Sequence, residues 1–263
     1  MAETGRLAQS SRGRVIGPVG LLRIAIVLTV LVIWEAMSRS GLLYRDVVPS
    51  LIAIGRALFD LLGRPPYYVH LAVTAGEIAA ALAIGGGFGL MVGIVLGANR
   101  FLAKAYEAFL YYLGPTPKII FFPVMIMWFG VDVQSKIALG ALSCFFPVAL
   151  SVAAGMRQID KVLIRVGKSF RAKTWQMVLK VYLPAMRQPV INGLRLGFGV
   201  ALIGTLLAET KLSNKGVGFL IINAYSTFDM PRMYAMLIVL FALAIAVNAV
   251  IGQLGGLHTV RKN

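Results

Sequence analysis

Three ionisable side chains lie in or beside stretches otherwise suited to the interior of a bilayer: Glu77, Lys118 and Glu209. Charge is costly in hydrocarbon, so such groups face a cavity, a path or a partner, and by default they carry function. Lys118 falls in a run punctuated by Pro115, Pro117 and Pro123. Prolines free backbone carbonyls, and a cation among them can meet an anionic solute. Glu209 closes one long apolar run and Glu77 opens another. These three are the candidates for lining a translocation path.

Other chemistries have less support. Gly167-Lys168-Ser169 reads like the end of a phosphate-binding loop, but Val162 occupies the position of the required first glycine and no strand-like run precedes it. Nucleotide hydrolysis by this chain is therefore not expected. Cys144 stands alone in an apolar run, which points to packing rather than a disulfide or thiol pair. His70 and His258 are too far apart in sequence for a local ligand pair, so no metal site and no catalytic residue is assigned.

A different kind of chemistry is written between Arg157 and Arg195, RQIDKVLIRVGKSFRAKTWQMVLKVYLPAMRQPVINGLR. This segment is strongly basic and amphipathic, and it ends in Leu183-Pro184 before apolar sequence resumes. Val166, Phe170 and Trp175 recur at helical spacing and form an apolar face that needs a cover.

The elements that hold these residues are membrane spans. Hydrophobic residues make up 59% of the 263-residue chain, charged residues only 14%, and the mean hydropathy is +0.82. Soluble domains carry roughly 45–50% apolar and about 25% charged residues. A bilayer-crossing helix needs about 20 mostly apolar residues. Runs at 78–99, 137–156 and 233–257 qualify without a single charge; 20–38, 105–130 and 189–208 carry charges, and 105–130 should break at its prolines. The result is an all-α integral membrane protein with about six transmembrane helices. Residues 1–19 form a basic tail, 20–257 one transmembrane domain with a loop at 157–188, and 258–263 a short tail. The first apolar run ends at Arg39 without a small-residue cleavage pattern, so it is expected to be retained.

Charge asymmetry orients the spans. With the amino terminus inside, the inner segments collect 16 of the 26 Lys and Arg residues; the outer loops hold Arg39, Arg45, Arg56, Arg64, Lys136, Lys211, Lys215 and Arg232. The positive-inside rule then puts both termini and the 157–188 loop in the cytoplasm. The net charge of +16 serves topology and contact with anionic lipid, not nucleic acid, for which no basic module is present.

From Arg165 the loop resembles the signature of membrane (permease) subunits of bacterial binding-protein-dependent ABC importers: Glu-Ala-Ala, three residues, Gly, nine residues, an aliphatic residue, one residue, Leu-Pro. Arg165, Val166, Gly167, Arg171, Val181, Leu183 and Pro184 occupy those slots. Arg165 reverses the charge of the family's Glu, and Arg171 replaces its Gly. Gly114-Pro-Thr-Pro-Lys-Ile-Ile-Phe-Phe-Pro123, Trp128-Phe129-Gly130 and Ser135-Lys136 are similar to the nitrate/sulfonate/taurine branch. So are Pro49-Ser50, His70, Gly193-Leu194-Arg195, Ala208-Glu209 and Gly216-Val217-Gly218.

The resemblance implies a type I ABC importer permease-like fold with a cytoplasmic coupling helix between spans 4 and 5, in the bacterial inner membrane. It implies that Arg165, Val166, Gly167, Phe170, Arg171, Trp175, Leu183 and Pro184 form the contact with an ATPase. The implied partners are two ATPase subunits, a second permease copy, for which a homodimer is favoured, and an extracytoplasmic substrate-binding protein. ATP and Mg would sit on the ATPase, with no cofactor in this chain, and the solute would be a small anion such as a sulfonate, taurine or nitrate. A secondary transporter or channel would also explain six spans and buried charges, but it gives no reason for an amphipathic basic loop ending in Leu-Pro.

Overall fold

The computed structural model of the chain describes residues 18–41 and 47–256. The basic tails, with Arg6, Arg12, Arg14, His258, Arg261 and Lys262, lie outside the described residues, as does Arg45. Among the described residues the secondary structure is helical, without strands.

The apolar runs fold as helices α1 (Pro18–Arg39), α3 (Pro65–Ala98), α6 (Val133–Arg157), α10 (Arg187–Lys211) and α12 (Met230–Gly256), each long enough to cross a bilayer. In α3, 34 residues span about 51 Å at 1.5 Å per residue, well beyond the ~30 Å hydrocarbon core. The run expected to start at 78 therefore begins thirteen residues earlier, at Pro65 and Pro66. Prolines at the first helical positions lose only an N–H that would have no intrahelical partner anyway. A short amphipathic helix, α2 (Leu51–Leu62), capped by the Ser50 hydroxyl accepting from Ala53 N–H at 3.2 Å, precedes it.

The proline-rich span breaks as its composition requires. Helix α4 (Arg100–Leu113) stops at Gly114, a 3₁₀ turn covers Lys118–Phe121, α5 (Phe122–Phe129) follows, and the two halves are bent by 92°. Pro115 and Pro117 supply no N–H to continue α4, while Pro123 is tolerated in the first turn of α5. Five long apolar helices and one broken pair thus make up the expected six.

Helix α6 is the centre of the packing, with α3 on one side and α10 on the other. Glycines allow the close approach. A Cβ at Gly89 would lie 2.8 Å from the Phe145 carbonyl oxygen, and one at Gly93 would lie 2.7 Å from that of Ala149. Gly85 and Gly97 meet Ala141 and Met156 in the same register, so the glycine row of every fourth residue is the seam with α6. On the far side Gly193, Gly197 and Gly204 of α10 meet Ser151, Cys144 and Ser143. Cys144, Val148, Val152 and Ala153 are fully buried between the two neighbours. Lipid tails are as apolar as these side chains, so close packing rather than hydrophobic burial holds the three helices together.

A second cluster forms at one end. Leu61 of α2, Tyr67 of α3, Val217 and Ala224 of α11 (Val217–Ser226), and Ala235 and Met236 of α12 pack together there. Helix α1 joins through its last turns only. Trp34 stands edge-on to Tyr234 at 5.3 Å and donates to the Pro49 carbonyl at 3.1 Å, and Glu35 accepts from Arg39 and from Leu51 N–H.

Candidate functional site

The polar and charged groups gather at the two ends of the α3–α6–α10 core. At one end each of the three helices contributes one ionisable residue to a single layer: Glu77 from α3, Lys136 from α6 and Glu209 from α10. Glu77 and Lys136 are 1% and 2% exposed, and Glu209 is fully buried. One turn further in, Ala81, Gly140 and Thr205 form the next layer, where a Cβ on Gly140 would crowd both neighbours. The absence of side-chain bulk at Gly140 is what brings the charged residues above it together.

Glu209 is the best connected of the three. Its Oε1 accepts from the Thr74 hydroxyl at 2.6 Å and its Oε2 accepts from Gly218 N–H at 2.6 Å. The Thr74 hydroxyl in turn accepts from Val217 N–H at 2.8 Å, and His70 Nδ1 accepts from Gly216 N–H at 3.1 Å. Three successive amides at the start of α11 are therefore satisfied by side chains from α3 and α10. A carboxylate there also complements the positive end of the helix dipole. Gly216 has φ +99, and a Cβ on it would collide with the Glu209 carboxyl group; Gly218 is equally confined.

Lys136 was expected in an outer loop, yet it lies in the first turn of α6 with its Nζ 3.4 Å from the Val131 carbonyl oxygen. Neither Lys136 nor Thr74 was a candidate from sequence. For Lys136 the signal is the Ser135-Lys136 pair, which carries the family resemblance together with His70, Ala208-Glu209 and Gly216-Val217-Gly218; the fold brings all four into one place. Beside this layer, Asp132, Lys211, Ser213, Asn214 and Lys215 line an open depression of about 460 Å³.

Lys118 stands apart from that cluster. Its ammonium donates to the Gly114 carbonyl, the last acceptor of α4, and lies 4.9 Å above the Phe146 ring. A cation at a helix carboxyl terminus is favoured by the dipole. The freed carbonyl and the cation of the broken span thus meet each other within the chain. Of the three path candidates, Glu77 and Glu209 come together inside the helix packing, and Lys118 sits half-buried at the break.

The opposite end carries the basic segment. Asp160 caps α7 (Lys161–Ser169) by accepting from Val162 N–H at 2.8 Å. A turn leads to α8 (Thr174–Met177), a π-helical turn over Val178–Tyr182 and α9 (Leu183–Ala185). Pro184 has no N–H to offer the Lys180 carbonyl, and the wider π turn lies immediately before it. Leu183-Pro184 therefore does not end the helical path; the break falls at Met186, just before α10.

Gly167 lets α7 close on α8, because a Cβ there would press on Met177 and Val181. Arg171 adopts φ +50, a conformation suited to glycine. Ile164 faces the core, whereas Val162, Leu163, Val166, Phe170 and Trp175 face outward with no cover among the described residues, Phe170 at 83% exposure and Trp175 at 56%. Arg165, Arg171 and Pro184 are exposed as well, and Leu183 is half-buried. Gly167-Lys168-Ser169 lies within α7, not on a phosphate loop. Arg157 braces the base of the protrusion with paired bonds of 2.7 and 2.8 Å to Glu107 of α4.

Six apolar spans, one of them broken, with an uncovered basic protrusion between the fourth and fifth, define a membrane permease. Residues 85–257 match the family of binding-protein-dependent transport system inner membrane components, and the chain belongs to that family, as a permease subunit of an ABC transporter. It is 31% identical over 220 residues to SsuC of Bacillus subtilis, a permease named for aliphatic sulfonates transport, covering 84% of this chain and 79% of that one. It is 34% identical over 155 residues to TauC of Escherichia coli, the taurine transport system permease protein, covering 59% of this chain and 56% of TauC. The fold is also that of a chain in the inward-facing MetNI methionine ABC transporter, with a TM-score of 0.60 at 18% identity over 73% of this chain and 97% of that one. Relatives of this kind are non-catalytic subunits, and this chain is a multi-pass permease rather than an enzyme.

Proposed function

We propose that this chain is the membrane subunit of an ATP-driven importer for small organic anions of the sulfonate type. Two copies surround the path, two ATPase subunits bind on the cytoplasmic side, and a binding protein delivers the solute from outside. The observation that carries this reading is the uncovered apolar tip of the basic protrusion, Phe170 with Trp175, on a base rooted in α6 and α10. A short amphipathic helix of this form fits a groove on a partner. Because α6 and α10 are also the packed core, a push on α7 and α8 moves the spans as rigid bodies and opens the path to alternate sides. Membrane-surface binding of the same face is the competing reading.

The sulfonate assignment is supported by the named relatives and by the cations on offer: Lys118 at the broken span, and Lys211 with Lys215 at the depression on the other end. The positive-inside count supports cytoplasmic termini and a cytoplasmic protrusion. The deciding experiment is ATP-dependent uptake of labelled taurine, alkanesulfonates and nitrate by the complex reconstituted with its ATPase and binding protein. Uptake of a sulfonate that is lost in Trp175→Asp and Phe170→Asp, with both variants still inserted, is the expected result. Undiminished uptake in both variants would overturn the ATPase-docking role. Absence of uptake for every anion would overturn the substrate class.

A further inference from the structure

The charged layer has an unresolved hydrogen-bond count. Both oxygens of Glu209 already accept, from Thr74 and from Gly218, which is what an ionised carboxylate does. The two oxygens of Glu77 receive no donor at all, although the residue is 1% exposed. Yet Glu77 lies on α3 between Thr74, which donates to Glu209, and Ala81, which meets Thr205 across Gly140, so its carboxyl group is set beside that of Glu209. Lys136 and Asp132 are the charged groups at the start of α6. Lys136 makes no ion pair with either carboxyl group among the described residues and donates instead to the Val131 carbonyl. His70, two turns before Glu77 on α3, is occupied by Gly216 N–H.

We infer that this layer is a proton-binding site, in which Glu77 is a carboxylic acid and donates its O–H to the Glu209 carboxylate. A single bound proton removes the repulsion between two buried anions and turns one unpartnered Glu77 oxygen into a donor to its neighbour. It leaves one carboxylate and one ammonium in the layer, so the net charge inside the helix packing is zero. Glu209 keeps the full negative charge with which it holds the start of α11. Glu77 is thus a positioning residue: it fixes the carboxylate that fixes the 211–218 loop beside the Lys211 and Lys215 depression. The assignment is independent of which solute is carried.

Infrared spectroscopy of the purified chain with ¹³C-labelled glutamate tests it directly. The chain has five glutamates, and Glu35 and Glu107 are held by Arg39 and Arg157. At neutral pH a ¹³C-sensitive carboxylic-acid C=O band is expected in the wild type and in Glu3→Gln, and it should disappear in Glu77→Gln. No such band, or a band that survives Glu77→Gln, overturns the proposal. Should Glu77→Gln fail to fold, the Glu3→Gln spectrum decides, since a surviving acid band then belongs to the Glu77–Glu209 pair and its absence sinks the idea. Amide exchange at Gly216–Gly218 adds a second readout. Glu77→Gln still offers an N–H to Glu209 and should match the wild type, whereas Glu77→Ala should exchange about tenfold faster or more. Equal acceleration in both variants would mean that the donated proton is irrelevant.

Discussion

The two ends of the α3–α6–α10 core treat awkward groups in opposite ways. At the Glu77–Lys136–Glu209 end, charges are buried, and Glu209 with Thr74 and His70 satisfies three consecutive backbone amides. At the α7–α8 end, apolar side chains stand exposed on a basic segment, and nothing among the described residues covers them. The first arrangement ties the start of α11 to α3 and α10. The second leaves an apolar face exposed, the face proposed above to meet the ATPase. Stability and coupling should therefore respond separately to substitution at the two ends.

Glu209→Ala should show the largest effect. It strands the Thr74 hydroxyl and the Gly218 amide and leaves Lys136 without its neighbouring carboxylate, a cost of about 3 kcal/mol or more. Thermal unfolding of the protein in detergent measures it; a loss below about 1 kcal/mol would mean that water reaches this layer freely.

Gly93→Leu attacks the frame that both ends share. The added side chain meets the Ala149 carbonyl and Val152, so the seam must open at a cost of about 1–3 kcal/mol. The same substitution at Gly87, where a Cβ meets nothing within 4 Å, should be close to neutral. Equal effects at the two positions would show that the seam is not the contact that holds α3 to α6.

Trp175→Asp sharpens the contrast from the other side. The residue is exposed, so stability should change by no more than about 0.5 kcal/mol while transport is lost. If stability falls as it does in Glu209→Ala, the protrusion is part of the fold and not a surface held for a partner.

Arg171→Gly should have a small effect of the opposite sign. It relieves a left-handed backbone at the α7–α8 turn and should stabilise the protein by about 0.5–1 kcal/mol. Its binding to the ATPase is the more telling measurement. If Arg165 and Arg171 pair with an acidic groove, Arg165→Glu with Arg171→Gly weakens assembly and makes it less sensitive to salt. Unchanged binding and salt dependence would leave both arginines as solvated surface.

Much of this was legible beforehand because the signals are local. A run without charges is a span wherever it packs, and Pro115 and Pro117 break a helix whatever lies beside it. Gly85, Gly89, Gly93 and Gly97, every fourth residue of α3, leave one face open to a close neighbour. Short α2 and α11 have no counterpart in the sequence reading, since helices of 12 and 10 residues do not stand out in an apolar chain. Leu183-Pro184 was expected to terminate a segment, but the backbone absorbs the missing N–H in a π turn and continues.

The sequence by itself determined the membrane class, the span count, the break and the basic amphipathic segment, all of which follow from composition and from periods of a few residues. Only the tertiary structure decided which glycine seam meets which helix, that Lys136 points into the core, and that Glu77 and Glu209 share one layer. The reason is geometric. A helix is apolar on nearly every face inside a bilayer, so no hydrophobic stripe records its rotation, and the residues that meet are chosen by packing between segments far apart in the chain. Thr74 and Glu209, 135 residues apart and hydrogen-bonded at 2.6 Å, are the measure of that distance.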